Sequence, residues 1–115
     1  MTRILDVAGL QVHVADSFAS RLVGLLGQRA LDSKQALLIV PCNNVHTFFM
    51  RFAIDVVFLD RDGVILHVAP ELRPWRAASC WRAHACLELP VGGAVHYGLV
   101  PGRCLAQLAA ERLKQ

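Results

Sequence analysis

Residues 54–69 read IDVVFLDRDGVILHVA, and two features of this stretch decide the fold. Apart from Asp55, residues 54–59 are apolar at odd and even positions alike. A strand that meets water on one face alternates. A run without alternation is covered on both faces and belongs at the centre of a sheet or sandwich. The Asp62-Gly63 step then falls between two β-forming segments, the strongest short-range hairpin signal. Strands over 54–60 and 64–69 are therefore expected to pair.

The rest of the chain extends this pattern on either side. Upstream, RILDVAGLQVHVADS at 3–17 alternates about Ala8-Gly9, with Leu10, Val12 and Val14 on one face and Gln11 and His13 on the other, which predicts a hairpin. Asp16 or Ser17 is placed to cap a helix over about 16–27, where Phe18, Leu22, Leu25 and Leu26 share a face and Gly27 sits at the C-cap. Gly24 lies inside that helix and marks a close backbone approach. A short apolar run at 36–40 predicts a buried strand ended by Pro41. Residues 45–50 are aromatic and β-branched, so they are expected to be extended, with His46, Phe48 and Met50 on one face and Thr47, Phe49 and Arg51 on the other.

Downstream, 70–84 is the longest loop expected, with Arg73, Trp75, Arg76, Trp81 and Arg82 interleaved. A strand at 85–89 precedes Pro90, and PVGGAVHYGL predicts a short second helix over about 90–98. Val100-Pro101-Gly102-Arg103 has the residues of a type II turn. A last strand is expected at 104–108, with a frayed end from 109. Six or seven short strands around one good helix, without βαβ alternation, predict a mainly β chain. The expected architecture is an antiparallel β-sandwich or open barrel with the helix on its flank, built as a single domain over 1–115.

Composition sets bounds on function. The chain has 115 residues, 55% of them hydrophobic and 18% charged, so it can bury a core without a metal or disulfide. Its net charge of +3 is too small to demand nucleic acid. Cys42, Cys80, Cys86 and Cys104 contain no C-x-x-C pair, which leaves reduced, buried thiols as the ordinary expectation. No apolar run is long enough for a membrane helix, and MTRILDVAG has no signal-peptide h-region, so a cytoplasmic protein is expected, with no membrane partner.

Polar chemistry concentrates at PCNNVHTFFMRFAID, 41–55. His46 and Asp55 fit a general base with its orienting carboxylate, with Cys42 as nucleophile. Cys42, His46 and Met50 carry the donors that suit a soft metal such as copper(I), although Met and Cys in such runs more often fill cores. A third use is structural, with Asp55 capping a turn or pairing with Arg51 or Arg21. No nucleophile elbow, phosphate loop or zinc-ligand spacing is present, so no catalytic residue, metal or cofactor is assigned. The sequence supports a binding or interaction module with a candidate pocket formed by Cys42, His46, Met50, Arg51, Asp55 and Arg21. A second candidate contact is the loop bearing Arg73, Trp75, Arg76, Trp81 and Arg82, whose chemistry suits a protein or an anionic small molecule better than nucleic acid.

Four blocks carry a family resemblance: RLVGLLGQR at 21–29, CNNVHTFFMRFAIDVVFLDRDGVI at 42–65, LELPVGG at 87–93, and Pro101-Gly102. In order and spacing they resemble the prokaryotic family known as domain of unknown function 192. The matching positions are Arg21, Gly24, Leu25, His46, Met50, Asp55, Asp60, Gly63, Glu88, Gly92 and Gly102. Arg103 departs from the pattern, which usually has aspartate there. The resemblance implies a compact β-sandwich or barrel-like sheet with a flanking helix, and implies no activity.

Overall fold

Strand Ile54–Leu59 is buried at all six positions, and a second layer lies on each face of the sheet that contains it. The computed structural model describes residues 3–15, 34–48 and 50–114. Eight strands are present in them: β1 Arg3–Val7, β2 Leu10–Ala15, β3 Gln35–Ile39, β4 Asn44–His46, β5 Ile54–Leu59, β6 Ile65–Leu72, β7 Ala77–Ser79 and β8 Ala85–Pro90. Six of them form one open sheet in the order β1-β2-β3-β8-β5-β6, while β4 and β7 form a separate two-stranded ribbon. The chain is therefore mainly β, and its main sheet does not close into a barrel. The expected helix at 16–27 lies outside the described residues.

The period-2 alternation of β5 and β8 sorts the core into two layers. Val57, Leu59, Ala85, Leu87 and Leu89 face one side, where they meet Leu10, Val12, Ala36, Leu38 and the segment carrying Ala94, Leu99, Leu105 and Leu108. Ile54, Val56, Phe58 and Cys86 face the other, against Val45 of the ribbon. This double cover is the physical reason for the unalternating run at 54–59.

The β5–β6 hairpin forms as expected, with Leu59 opposite Ile65. Asp60 organises its turn, since its Oδ1 accepts from the N–H groups of Asp62 and Val64 at 2.9 and 3.0 Å. Gly63 has φ +83°, and a Cβ there would lie 2.3 Å from the carbonyl oxygen of Leu105. Both the turn and this contact require glycine.

Four expectations need correction. First, β2 and β3 pair in parallel, so the sheet is mixed although every other pair is antiparallel. Second, the expected loop at 70–84 is interrupted by strand, with β6 reaching Leu72 and the short β7 pairing with β4, and only 73–76 and 80–84 remain irregular. Third, 104–108 is not a strand: Cys104 makes a single bridge to Val64, and Ala106–Leu108 is a 3-10 helix. Leu105 and Leu108 are both buried; their spacing of three matches the 3-10 period, where a strand would turn one of them outward. Fourth, the end is docked. A one-turn helix Ala110–Leu113 buries Ala110, whose N–H donates to Arg61 O at 2.7 Å, and Leu113 O accepts from Arg3 Nη1. The expected helix at 90–98 is one turn, α1, Gly93–His96.

Candidate functional site

The ribbon β4–β7 carries exposed aromatic rings at its ends, and a buried threonine holds it in shape. Thr47, at the end of β4, has no solvent exposure. Its N–H donates to Arg76 O at 2.8 Å, and its carbonyl accepts from the N–H groups of Trp75 at 3.0 Å and Met50 at 3.2 Å. Its hydroxyl donates to Arg73 O at 2.5 Å and accepts from Arg76 N–H at 3.0 Å. One side chain thus fastens the turn 73–76 to β4, including Trp75, which holds a left-handed φ of +63°. Such a conformation is disfavoured for a bulky residue and persists where its surroundings fix it.

Fixing that turn assembles three rings. His46 stacks on Phe48 at 4.8 Å between centroids, and Phe48 stacks on Trp75 at 5.8 Å, with interplanar angles of 21° and 25°. Phe48 is 47% exposed and Trp75 55%, while Trp81, beyond β7, is 84% exposed. Arg51, Arg73, Arg76 and Arg82 are exposed as well. Among the described residues no carboxylate forms an ion pair with any of these arginines. Partly exposed aromatic rings beside exposed guanidinium groups have the composition that contact surfaces commonly carry.

The candidate pocket divides. Asp55 is 1% exposed and faces the layer that holds α1. Its Oδ1 accepts from Glu71 N–H at 2.9 Å, and its Oδ2 accepts from Gly92 and Ala94 N–H at 3.1 and 3.0 Å. Those bonds satisfy the start of α1 and fix Glu71, which has φ +48° at a bulge in the β5–β6 pairing. His46 is exposed on the ribbon, which covers the opposite face of the sheet, so Asp55 does not orient it. Cys42 and Met50 pack against the Phe58 layer, whereas His46 turns outward to Phe48. The structure therefore does not gather Cys42, His46 and Met50, and Met50 leaves the face it was expected to share with His46 because the strand ends at His46. Among the described residues no cluster of three or more His, Cys, Asp or Glu side chains is arranged to hold a metal. Arg51 is exposed, and Arg21 and Phe49 lie outside the described residues.

A second group lies inside the same layer. Cys42, Cys80 and Cys86 all pack there, and all are free thiols, with Cys86 fully buried and the other two partly exposed. Cys42 Sγ donates to Asn44 O at 3.0 Å. A hydrogen bond from the Cys86 thiol outweighs the effect of burial and brings Cys42 down to about 7, and the same contact pushes Cys86 far up. Glu88, two residues along β8 from Cys86 and on the same face, has no exposure. Neither of its carboxylate oxygens has a hydrogen-bond partner among the described residues. Burial, and secondarily the nearby Cys42 sulfur, raise it to about 8.

Sequence reading missed Thr47 and Glu88 as site residues. Each carried a signal. Thr47 is the polar residue on the inward phase of an aromatic strand, and Glu88 is the charge in the otherwise apolar run ACLEL.

The family model for domain of unknown function 192, described as "Uncharacterized ACR", matches residues 3–107. The chain belongs to this family. Its similarity extends to UPF0127 protein PH1112 of Pyrococcus horikoshii, 38% identical over 69 residues, which cover 57% of this chain and 59% of that one. UPF0127 protein PYRAB11210 of Pyrococcus abyssi is 34% identical over 71 residues, covering 57% and 58%. The match thus spans less than two thirds of these relatives' length. A crystal structure of a protein of unknown function from Novosphingobium aromaticivorans shares the fold with a TM-score of 0.68 at 20% identity, covering 88% of this chain and 79% of that one. A solved chain from Sinorhizobium meliloti 1021 shares it with a TM-score of 0.71 at 20% identity, covering 88% and 87%. The family has no assigned activity. Among the described residues no helix is long and apolar enough to cross a membrane.

Proposed function

We propose that this member of domain of unknown function 192 is a binding module, and that its contact surface is the stack His46–Phe48–Trp75 with the flanking Arg73 and Arg76. The occupant this surface fits is an acidic segment of a protein partner, whose carboxylates pair with the arginines while an apolar or aromatic side chain lies on the rings. The observation that carries this reading is the fixed, exposed aromatic stack held by Thr47. Without a ligand the open rings bring no stabilisation of their own beyond about 0.5–1.5 kcal/mol per stacked pair. The four free cysteines suit a reducing compartment, which supports a cytoplasmic location.

The test is a titration with aspartate- and glutamate-rich peptides that contain a phenylalanine or tyrosine, followed by backbone amide NMR. The expected result is saturable shifts centred on Thr47, Phe48, Trp75 and Arg76. These should weaken as salt is raised and vanish in the Phe48→Ser variant. Shifts scattered over all exposed arginines, or equal shifts with citrate, would overturn the reading in favour of non-specific anion attraction. Concentration-dependent shifts at these residues without peptide would assign the surface to self-association instead.

A further inference from the structure

The buried thiol layer is a separate feature from the aromatic surface, and it has chemistry of its own. Three cysteines distant in sequence meet against Phe58 because three backbone contacts bring their segments together. Cys42 N–H donates to His84 O at 2.9 Å, Cys80 N–H donates to Asn43 O at 2.8 Å, and Ile39 lies opposite Cys86 in the β3–β8 register. Cys86, fully buried, thus shares one packed layer with the partly exposed Cys42. Glu88 completes the group as a buried carboxyl with no partner among the described residues, on the face of β8 that carries Cys86.

A protein rarely leaves a carboxyl so placed. An unsatisfied buried polar group is costly and asks for an explanation. A core that needed only volume here would be served by leucine or methionine. A carboxyl that can hold or release a proton beside a buried thiol has a use, since a buried thiol becomes a nucleophile only when a neighbour takes its proton. The other polar groups facing Glu88 among the described residues are Cys42 and, across Leu37 in the β2–β3–β8 register, His13, whose Nε2 is also buried without a partner. The lateral neighbours Leu37 and Val56 are apolar.

From this arrangement we infer that Cys42 and Cys86 form a redox-active dithiol that exchanges with a substrate disulfide, Glu88 holding the proton that Cys86 gives up. The Cys42 thiolate attacks one sulfur of the substrate disulfide. A Cys42–substrate S–S bond forms, the substrate S–S bond breaks, and the first substrate thiolate leaves and takes a proton from water. In molecules whose Glu88 is ionised, a fraction that grows as pH rises through about 8, Cys86 then passes its proton to that carboxylate, and its sulfur attacks Cys42 Sγ. A Cys42–Cys86 S–S bond forms, the mixed disulfide breaks, and the second substrate thiolate leaves with the proton that Glu88 releases. The dithiol is oxidised by two electrons and the substrate disulfide is reduced to two thiols. In reverse, an incoming thiol attacks Cys42, and Glu88 protonates the departing Cys86 sulfur.

The shared chemistry is an S–S bond, which a low-molecular-weight disulfide or a protein disulfide can supply. Reduced protein is therefore incubated with oxidised glutathione in one arm and with insulin in the other, quenched with acid, alkylated and mapped by mass spectrometry. The expected product is a Cys42–Cys86 linkage. Cys86→Ala, checked for folding by circular dichroism, should instead accumulate a mixed disulfide at Cys42. Glu88→Gln should leave the first attack unchanged and slow closure of the Cys42–Cys86 bond by about tenfold or more. Product in the glutathione arm alone assigns a small disulfide, and product in the insulin arm alone assigns a protein disulfide. A second readout needs no variant: the iodoacetamide reaction of Cys42 in the native protein should level off above about pH 7, the value to which its contacts bring it. Mixed disulfide on the exposed Cys104 without any Cys42–Cys86 linkage, or closure that is indifferent to Glu88→Gln, overturns the inference.

Discussion

Replacing Glu88 by glutamine should flatten the dependence of stability on pH. Glu88 is fully enclosed, and its carboxyl is raised from an ordinary 4.5 to about 8, chiefly by burial. The native state therefore keeps a proton that the unfolded chain has already released. Stability from this group is fully present below 4.5 and is lost as pH rises through about 8. At 1.36 kcal/mol per pH unit, the whole window corresponds to about 5 kcal/mol, and the part between pH 5 and pH 7 to roughly 2–3 kcal/mol. Cys42 acts with the opposite sign. Its thiol is lowered from 9.0 to about 7, so it adds stability as pH rises through that range. The measurement is cleanest below pH 7 for that reason. Urea unfolding of wild type and Glu88→Gln at pH 5, 6 and 7 should show wild type losing stability along this span, with the variant close to level. Carboxylates common to both proteins cancel in the comparison. The buried amide of the variant occupies the same site, where the carboxyl has no partner among the described residues, which shifts its stability at every pH by a similar amount and leaves the slope intact. Parallel slopes for the two proteins would show that Glu88 ionises normally and that the reasoning from its burial is wrong.

Other substitutions test the scaffold. Thr47→Val removes a donor and an acceptor at once; it should cost about 1–3 kcal/mol and speed hydrogen exchange at the Trp75 and Arg76 amides, whereas unchanged exchange would separate the turn from Thr47. Asp55→Asn keeps the shape but loses the charge on an acceptor of three backbone N–H bonds. It should destabilise by about 2–4 kcal/mol while leaving alkylation of Cys42 at its wild-type rate, because Asp55 faces the other layer. Gly63→Ala places a Cβ 2.3 Å from Leu105 O at a positive φ, so thermal melting should report a loss of at least about 2 kcal/mol.

The fold was legible where one physical signal dominated. The unalternating run at 54–59 reported burial on both faces, and Asp62-Gly63 reported the hairpin. The β1–β2 turn followed from alternation about Ala8-Gly9. Parallel pairing of β2 with β3 was not legible, because a strand's own pattern does not encode its neighbour's direction. The end of the chain misled for a different reason: a short apolar run suits a strand until the burial of both Leu105 and Leu108, three apart, is seen, with Leu105 N–H held by the Gly63 carbonyl at 2.8 Å. The site was legible as a region and not as an arrangement. His46 and Asp55 lie close in sequence, yet the sheet passes between them. Cys42 lies far in sequence from Cys86 and Glu88, yet its backbone bond to His84 O brings it beside the strand that carries them.

The most direct measurement of the proposed function is calorimetric titration of an acidic, aromatic-containing peptide into wild type and into Phe48→Ala. Phe48 is the middle ring of the stack, and truncating such an anchor typically costs 2 kcal/mol or more. A weakening of about thirtyfold is therefore predicted, with Val100→Ala, an exposed apolar residue outside the ribbon, binding as wild type. Equal affinity for wild type and Phe48→Ala would contradict the assignment of this surface.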